Sequence, residues 1–474
     1  MAACGIRILK GIRSFWIPCW HRLVTRRIPP DPAQENKRLF DSLESFLQIS
    51  SGYQQGGRVK ETGLSDHYEN DAAEKLSPEK RLSPEQQNLK NAIKAFCITH
   101  QQDTHAVFVI EGDAGTGKSI VINSIFNEIQ ALSRGADKNS PFWKTDNSLV
   151  VNHPEMMKLY KNISESYPAL KKKDFERPTT FINRMHKVGK TADILFVDEA
   201  HLLLIKSDKY NRFEQNNHLE ELIKLSRITV LVFDEKQVLK FKSCWSKSLL
   251  NSLLKDIPCQ TYHLRTQFRM QAGQDVLDWI EGFCHKTILP MPHKQAFDFR
   301  FFADAQDLYD AIQKENSRHG LSRMVATYDY PYRLDGQDHF IHEGRFTLRW
   351  DRSKPDEKLP WAERPDTIDE VGSVYTVQGF DLNYVGLILG PSVLYDPVTD
   401  GIRIDTNLYE DGAAFAGRDG IQDPDGTKER IMLNAINVLM TRAVHGLFIY
   451  ASDPALRERL MQAQTSSTQA RESV

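Results

Sequence analysis

Short apolar runs recur along the chain from about residue 82 onward, and most are separated by segments with the periodicity of amphipathic helices. Seven runs have the length of buried strands, and they cover residues 106–111, 148–152, 194–199, 228–233, 323–327, 384–390 and 446–451. Strands that alternate with helices are typical of parallel sheets with right-handed crossovers. The pattern therefore predicts an α/β protein. No run reaches the roughly 18 apolar residues of a membrane-spanning helix, so we expect no membrane partner.

The chain divides where this pattern is lost. Residues 285–298 contain two prolines and no periodicity, which predicts a boundary between one domain over residues 82–290 and a second over residues 291–460. Residues 391–428 are rich in Asp and Gly, which indicates a long surface insertion within the second domain. Residues 461–474 have the composition of a disordered polar tail.

Residues 1–81 differ from the rest of the chain and predict a poorly structured, basic N-terminal extension. Six Arg and Lys residues precede the first acid, Asp31; an amphipathic helix is predicted over residues 38–49, and the polar residues 50–80 are typical of a linker. An Arg-rich start without acids is compatible with an organelle-targeting segment, a basic arm or a mistaken start codon. We expect a cytoplasmic protein, with organelle targeting as the alternative.

Composition and charge leave most classes of function open. The formal net charge is -2, with 40% hydrophobic and 26% charged residues, which is ordinary for a soluble globular protein. This charge neither requires nor excludes a nucleic-acid partner, because a basic surface can be local. The six cysteines include no C-x-x-C pair. Their spacing argues against zinc and against a disulfide framework, and it fits a reducing compartment.

A phosphate-binding loop follows the first predicted strand. The stretch GDAGTGKS matches the pattern G-x-x-x-x-G-K-[ST], with an apolar strand before it and a helical pattern after it. Backbone N–H groups of such a loop surround phosphate oxygens, and the helix start adds the positive end of its dipole. Lys118 is expected to reach the β- and γ-phosphates, and Ser119 to bind Mg²⁺. The expected nucleotide contacts are Gly112, Asp113, Ala114, Gly115, Thr116, Gly117, Lys118 and Ser119.

The predicted strand 194–199 ends in two acids, at the edge where doubly wound sheets bind ligands. Asp198 is expected to hold Mg²⁺, and Glu199 to polarise the water that attacks the γ-phosphate. The alternative is a pair of solvated acids at a strand end, although the phosphate-binding loop independently calls for such a partner. His201 is interpreted as the start of a helix. Together the two motifs predict an ATPase whose class they do not define.

Three further polar residues lie beside predicted strands and carry weaker signals. A neutral amide at Gln237 can touch the γ-phosphate, but it is equally compatible with a surface residue. Arg269 and Arg442 are of the type that stabilises a phosphoryl-transfer transition state from across a cleft. Structural salt bridges are the alternative for both arginines. Several aromatic residues and the lysines at 171–173 are candidates for nucleic-acid contacts, and none of them is assigned.

The order of the motifs defines the class. Along the chain they are the phosphate-binding loop, Asp-Glu-Ala-His, Asp-x-x-Gln, Gln-Phe-Arg, Thr-x-Gln-Gly and Leu-x-Thr-Arg-Ala. This order resembles a superfamily 1 helicase, and residues 82–460 look most like the Schlafen group-three-type DNA/RNA helicase domain family. The most specific blocks are VYTVQGFDLNYVGLILGP and NVLMTRAVHGLFIYASDP. The resemblance implies an α/β fold with two tandem RecA-like P-loop NTPase domains and parallel sheets.

The resemblance also implies roles for residues around the nucleotide. Gln86 corresponds to the residue that reads adenine, with the neighbouring Gln87 as an alternative register. Gln237 corresponds to a sensor of the γ-phosphate. Arg269 and Arg442 correspond to the two arginines that clamp this phosphate.

Further roles concern the second domain and the polymer. Gly379 and Asp381 are implied at the nucleotide, where Asp381 would contact the ribose. The family usually has Glu at that position and Asp where this chain has Asn383, which puts the ribose contact in doubt. The segments implied at the nucleic-acid backbone contain Asn152, His153, Thr376 and Gln378.

The sequence thus predicts an ATP- and Mg²⁺-dependent helicase or translocase on single-stranded DNA or RNA. The alternative is a nucleotide-gated sensor or clamp that binds nucleic acid without unwinding it. A generic P-loop NTPase with a protein substrate is a third reading, and the Thr-x-Gln-Gly and Thr-Arg-Ala blocks count against it. DNA versus RNA, the direction of travel and the oligomeric state are left open.

Overall fold

The computed structural model describes residues 76–472, apart from gaps at 210–211, 293–296, 334, 336, 352–356, 419–420 and 422. The predicted N-terminal extension, with its helix over 38–49, lies outside the described residues except for its last six positions. Among the helices that the structure describes, none has the length and apolar character needed to cross a membrane.

Six parallel strands form the first sheet. They are β1 (Ala106–Gly112), β2 (Asn147–Val151), β3 (Phe175–Glu176), β4 (Ala192–Asp198), β5 (Ser226–Phe233) and β6 (Cys259–Leu264). Their order in the sheet is β3-β2-β4-β5-β1-β6. The first five residues of β1 are buried, as expected for a parallel strand covered on both faces. The phosphate-binding loop therefore leaves the carboxyl edge of this sheet, where Asp198 also lies.

The helices of this half are α1 (Pro84–Thr99), α2 (Lys118–Arg134), α3 (Pro154–Ser166), α4 (Pro178–Val188), α5 (His218–Lys224) and α6 (Lys247–Leu254). Helix α1 begins with a capping box, in which the Ser83 hydroxyl accepts the N–H of Gln86 and the Gln86 side chain accepts the N–H of Ser83. Helix α2 packs on the sheet through Phe126, whose ring contacts Phe196 of β4 edge-on, with 5.4 Å between centroids. These contacts fix both helices beside the phosphate-binding loop.

Seven strands form the second sheet. They are β7 (Asp298–Phe301), β8 (Ser322–Ala326), β9 (His339–Glu343), β10 (Phe346–Trp350), β11 (Glu370–Gly372), β12 (Leu382–Leu389) and β15 (Ala443–Ala451). Between β12 and β15, β13 (Val393–Asp396) and β14 (Gly401–Ile404) form a separate hairpin. The order is β7-β15-β12-β8-β11-β10-β9, and only β9 runs antiparallel to its neighbour. Helix α7 (Gln274–Cys284) lies between the two sheets in the sequence, and the helices of the second half are α8 (Ala305–His319), α9 (Val374–Val377), α10 (Pro424–Met440) and α11 (Pro454–Glu472).

The fold class predicted from the sequence is confirmed: the chain has two tandem RecA-like domains with parallel sheets. The seven predicted strands correspond to β1, β2, β4, β5, β8, β12 and β15. The other eight described strands were not predicted; of these, β6 is mostly exposed and only the middle residue of β9 is buried, so neither carries an apolar run. The domain boundary near residue 290 falls between α7 and β7 and stays a prediction.

Two segments differ from their sequence-based description. Residues 391–428 contain the β13–β14 hairpin and a loop that is anchored to the first half, where the N–H of Phe241 donates to the carbonyl of Ala414 at 2.8 Å. Helix α11 continues to Glu472 through the predicted polar tail. Its Gln464 side chain accepts the N–H of Phe301 at 2.8 Å, so a polar contact fixes a helix that hydrophobic periodicity does not reveal.

Candidate functional site

A cavity of about 1070 Å³ opens at the phosphate-binding loop and is lined by both halves of the chain. It brings together twelve of the residues predicted at the nucleotide, although they are spread over more than 350 positions of the sequence. These are Gln86, Ala114, Gly115, Gly117, Lys118, Ser119, Glu199, Gln237, Arg269, Gly379, Asp381 and Arg442. The predicted residues Gly112, Asp113, Thr116 and Asp198 do not line the cavity, and Asp198 lies fully buried behind Ser119.

The backbone of the phosphate-binding loop depends on two glycines in the left-handed region. Gly115 has φ +86° and Gly117 has φ +82°, a conformation that is costly for a residue with a Cβ atom. A Cβ on Gly115 would lie 2.7 Å from Cβ of Arg269, and one on Gly117 would lie 2.3 Å from the Gln86 amide nitrogen. The two glycines therefore allow residues from other segments to approach the loop closely.

Lys118 is held by the loop itself. Its ammonium group donates to the carbonyl of Gly112 at 2.5 Å and to that of Asp113 at 2.9 Å. It also lies 3.3 Å from a carboxylate oxygen of Asp234, at the end of β5. Asp234 is buried, so the pair places a counter-ion beside the lysine. Asp234 is the acid of the Asp-x-x-Gln motif, and its position after an apolar strand is the signal that the sequence offers.

Asp198 is held by three donors. The Ser119 hydroxyl donates to one carboxylate oxygen at 3.1 Å, Tyr160 donates to the other at 2.6 Å, and the N–H of Glu199 donates at 3.0 Å. Burial raises the pKa of Asp198 to about 6, and the neighbouring charge of Glu199 adds to this effect. A hydroxyl and a carboxylate in direct contact are the hard oxygen donors that Mg²⁺ prefers. Tyr160 was not recognised from the sequence.

Glu199 stands in an unusual backbone conformation. Its φ is +51°, which a non-glycine residue adopts at a cost of about 1–2 kcal/mol. Its carboxylate lines the cavity and lies 3.1 Å from Nε2 of His201. Burial raises the pKa of this carboxyl above its usual value. This backbone conformation directs the Glu199 side chain away from the strand and toward the cavity.

Gln237 and its neighbours form a short 3-10 turn after β5. The Gln237 amide donates to Asp234 at 2.7 Å, and the same carboxylate contacts Lys118. Gln237 is buried and lines the cavity. A side chain that shares a carboxylate with the lysine of the phosphate-binding loop is placed to respond to changes at that lysine, so this amide is not an isolated surface residue.

Two arginines, from segments far apart in the sequence, line the cavity. Arg269 forms an ion pair with Asp381 and donates to the carbonyl of Thr441 at 3.3 Å. Arg442 is 1% exposed. It donates to the carbonyl of Val438 at 3.0 Å, and burial lowers its pKa to about 9. Its Nη2 atom is buried and makes no hydrogen bond to any described residue, so Arg442 keeps one donor for a group outside the protein.

Gln86 and Gln87 both line the cavity, but only Gln86 is held against the phosphate-binding loop. The Gln86 amide donates to the carbonyl of Thr116 at 3.1 Å and is buried beside Gly117, whereas Gln87 is exposed and donates to Asn91. The capping box described above fixes the position of Gln86. The assignment of Gln86 to adenine stays a prediction.

A second cavity of about 860 Å³ lies between the halves, and we call it the cationic cleft. Its lining contains all four residues that the resemblance implied at nucleic acid, namely Asn152, His153, Thr376 and Gln378. Its cations are Arg177, Arg212, Lys240 and Lys242, of which Lys242 is paired with Asp208 at 3.2 Å. Its acids are Glu155, Asp208 and Asp351. Residues from distant segments thus meet in a cleft that is lined by four cations and three carboxyl groups, an excess of one positive charge.

Three of the four implied residues, Asn152, His153 and Thr376, already form hydrogen bonds with other groups of the protein. Asn152 donates to the carbonyl of Leu202 at 2.7 Å and accepts from Arg177 at 3.1 Å. Burial lowers the pKa of His153 to about 3, and its ring caps helix α3. The Thr376 hydroxyl is committed to the capping box of α9, where it contacts the backbone of Ser373. These side chains shape the wall of the cleft, and its cations are the groups that can attract phosphates.

The residues of the first cavity fit a nucleoside triphosphate with Mg²⁺. Left-handed glycines leave room at the loop, Arg442 keeps an unpartnered donor, and Ser119 lies against Asp198. Arginine and lysine are the side chains that bind phosphate oxygens. The exposed ring of Phe268, which also lines this cavity, offers an apolar face for a base.

The fold and the cavity define the class of P-loop NTPase folds with two RecA-like domains. The chain belongs to the Schlafen group 3 DNA/RNA helicase domain family, whose model matches residues 105–453. Among curated proteins it is similar to the uncharacterized protein YPL245W of Saccharomyces cerevisiae, with 44% identity over 411 residues, which are 80% of this chain and 90% of that protein.

Solved structures with a similar arrangement include two helicases. One is Pif1 helicase from Candida albicans, with a TM-score of 0.32 and 9% identity over 83% of this chain and 100% of that chain. The other is arterivirus nonstructural protein 10 in complex with DNA, with a TM-score of 0.31 and 14% identity over 77% of this chain and 65% of that chain. Both TM-scores are low, so neither likeness bears on the function of this chain.

Proposed function

We propose that this protein is an ATP- and Mg²⁺-dependent helicase or translocase that moves along single-stranded nucleic acid. The observation that carries the proposal is the shared construction of the two cavities. Both are lined by residues of the first and the second RecA-like domain. A change in the position of one domain relative to the other therefore alters both cavities together, which is what a motor requires.

At the nucleotide, the backbone of Gly115 and Gly117 surrounds the phosphates. Lys118 leaves its loop carbonyls to contact the terminal phosphates, and Arg269 and Arg442 supply positive charge from the other side. Charge that spreads over the equatorial oxygens during phosphoryl transfer is stabilised by such cations. Gln86 and Phe268 also line the cavity, and they are the residues that would contact the base.

The metal and the water have separate holders. Ser119 and Asp198 would hold Mg²⁺, which when bound neutralises phosphate charge and orients the γ-phosphate. Glu199, adjacent in sequence but turned into the cavity, would orient the attacking water and accept its proton. The buried position of Glu199 favours proton acceptance, because burial raises the pKa of its carboxyl.

In the cationic cleft, Arg177 and Lys240 would contact the phosphates of a single strand. Arg177 is exposed and Lys240 lies 4.3 Å above the ring of Tyr375. Phosphate contacts of this kind are independent of sequence. Lys240 is three positions from Gln237, so one short segment touches both cavities.

The test measures ATP hydrolysis without polymer, with single-stranded DNA and with single-stranded RNA of the same sequence. We expect stimulation by at least one polymer, and a loss of roughly two orders of magnitude or more in Lys118→Ala. Lys224→Ala, an exposed lysine paired with Glu220, is the matched control. Absence of stimulation by both polymers would refute the motor. Hydrolysis that survives Lys118→Ala would refute the assigned site, and strand displacement on tailed duplexes separates a helicase from a translocase.

A further inference from the structure

His201 is a fully buried side chain that the proposed chemistry does not use. It lies in a one-turn 3-10 helix, Ala200–Leu202, directly after Glu199. Its Nε2 atom is 3.1 Å from a carboxylate oxygen of Glu199 and 3.2 Å from the amide nitrogen of Gln378. The imidazole therefore touches one residue from each RecA-like domain, at a single ring atom.

The two neighbours of His201 belong to different cavities. Glu199 lines the nucleotide cavity, whereas Gln378 lines the cationic cleft. The same turn meets the cleft a second time, because the carbonyl of Leu202 accepts the amide of Asn152. The contact from Gln378 through His201 ends on Glu199, the carboxylate that is proposed to orient the attacking water.

The hydrogen bonds at this point have two possible arrangements. A neutral imidazole has one donor and one acceptor nitrogen, and an amide presents either its oxygen or its nitrogen. With the Gln378 oxygen forward, the Nε2–H of His201 is shared between Gln378 and Glu199. With the nitrogen forward, Nε2 accepts from Gln378 and has no proton to donate to Glu199. The orientation of one amide thus decides whether the Glu199 carboxylate is held.

Other contacts do not lock the amide. The Gln378 oxygen, the second ring nitrogen of His201 and the Glu199 carboxylate oxygen that faces His201 are buried and have no hydrogen-bond partner among the described residues. With the amide nitrogen toward Nε2, as the structure has it, His201 therefore does not hold Glu199. A buried polar atom without a partner is costly, and neither arrangement satisfies every atom. An amide rotation breaks no other hydrogen bond among the described residues, so a ligand that favours one orientation can select it.

We propose that Gln378 and His201 are positioning residues that transmit occupancy of the cationic cleft to the Glu199 carboxylate, and so regulate hydrolysis. This inference rests on the proposed function, because it takes the cleft as the polymer site. A strand in the cleft contacts the wall formed by Tyr375, Thr376 and Gln378, and it thereby favours the orientation that holds Glu199. Bound polymer then raises the rate of hydrolysis without a change in the nucleotide contacts.

The experiment compares kcat at saturating ATP with and without single-stranded polymer, together with KM for ATP and Kd for the polymer. The variants are Gln378→Leu, His201→Leu and the double variant, with His201→Gln retaining an amide donor. In each single leucine variant we expect the polymer to raise kcat by no more than about twofold. The double variant should lose no more stimulation than either single variant. KM for ATP in all variants and the polymer Kd of His201→Leu, whose side chain does not line the cleft, should stay within about threefold of wild type, and His201→Gln should recover part of the stimulation.

The outcomes separate the two proposals. If the wild-type protein is not stimulated by polymer, the proposed function and this inference both fail. If the wild type is stimulated and a folded leucine variant is stimulated equally, the inference alone fails. It also fails if the single losses multiply in the double variant, or if they follow a loss of polymer binding. His342→Ala, on the edge strand β9, is the control for histidine removal, and thermal unfolding reports folding of every variant.

Discussion

The guanidinium of Arg269 is ion-paired with the carboxylate of Asp381, which joins the segment after the last strand of the first sheet to the segment before β12 of the second. Both side chains line the nucleotide cavity. The resemblance implied that Arg269 contacts the γ-phosphate and Asp381 the ribose. In the structure these two side chains are paired with each other, so a phosphate that binds Arg269 has to compete with the Asp381 carboxylate.

We therefore expect Asp381→Asn to bind ATP more tightly. Asparagine keeps a hydrogen-bonding group for a ribose but no longer neutralises Arg269. The gain should be about 1 kcal/mol or less, which is up to about fivefold in Kd, and titration with a fluorescent nucleotide measures it. Asp400→Asn, which removes an exposed acid paired with Arg459, is the control. Unchanged or weaker binding would contradict the competition.

Phe268 is predicted to stack on the base of the nucleotide. Its side chain is 48% exposed although it lines the cavity, which leaves a ring face available. Phe268→Ala should raise KM for ATP by about tenfold, within the 1–3 kcal/mol of base stacking, and leave kcat unchanged because the ring carries no charged or hydrogen-bonding group for the phosphates. Phe340→Ala, similarly exposed at 44% on β9, should leave both constants unchanged.

The cationic cleft makes a prediction about salt. Arg177→Ala and Lys240→Ala should each weaken binding of single strands of any sequence, and should each lower the slope of log Kd against log salt by about 0.7. Fluorescence anisotropy at several salt concentrations gives the slope. The control is Arg227→Ala, an exposed arginine paired with Asp193 at the start of β5. A slope unchanged in both cleft variants would exclude phosphate contacts there.

Gly379 holds the two domains in close contact. It has φ +88°, and a Cβ there would lie 2.6 Å from the sulfur of Met156 on α3. Gly379→Ala should lose at least about 1–2 kcal/mol of unfolding free energy through backbone strain alone, which appears as a lower Tm. Gly412→Ala, where a Cβ meets nothing within 4 Å, is the matched control. Equal Tm values for the two variants would show that this contact is not required.

The buried histidines predict a dependence of stability on pH. Burial lowers the pKa of His218 to about 3, against about 6.5 in an unfolded chain. The neutral ring contributes fully above the unfolded value, and this contribution is lost as the pH falls toward the folded value. The stability of wild type relative to His218→Gln should therefore decrease by about 2 kcal/mol between pH 7 and pH 5, measured by urea unfolding. An equal pH dependence of the wild type and His218→Gln would contradict this prediction.

The parts of this molecule that sequence predicts are those encoded in contiguous residues. The phosphate-binding loop and the strand ending in Asp198 are local patterns, so their chemistry can be read without a fold. Buried parallel strands leave apolar runs for the same reason. The sequence does not reveal β6, because this strand is polar and mostly exposed. It does not reveal the last part of α11 either, which is held by a hydrogen bond from the N–H of Phe301 to the Gln464 side chain.

Other features depend on tertiary contacts and leave little trace in the sequence. His201 follows an acidic motif and reads as a helix start, yet its importance lies in its contact with Gln378 from the other domain. Asp234 becomes a counter-ion only where β5 ends beside Lys118. Arg177 and Lys240 stand in unremarkable local sequences, and the cleft that collects them exists only in the folded chain.

The shared walls of the two cavities have a further consequence. Because residues from both domains line each cavity, the volumes of the nucleotide cavity and of the cationic cleft both depend on the angle between the two sheets. A small molecule wedged into either cavity would fix that angle and thereby restrict the other site without touching it. Conversely, a fragment that ends before β7 would keep the phosphate-binding loop but would lack Arg442, Asp381 and the far wall of the cleft, and so would contain neither site in complete form.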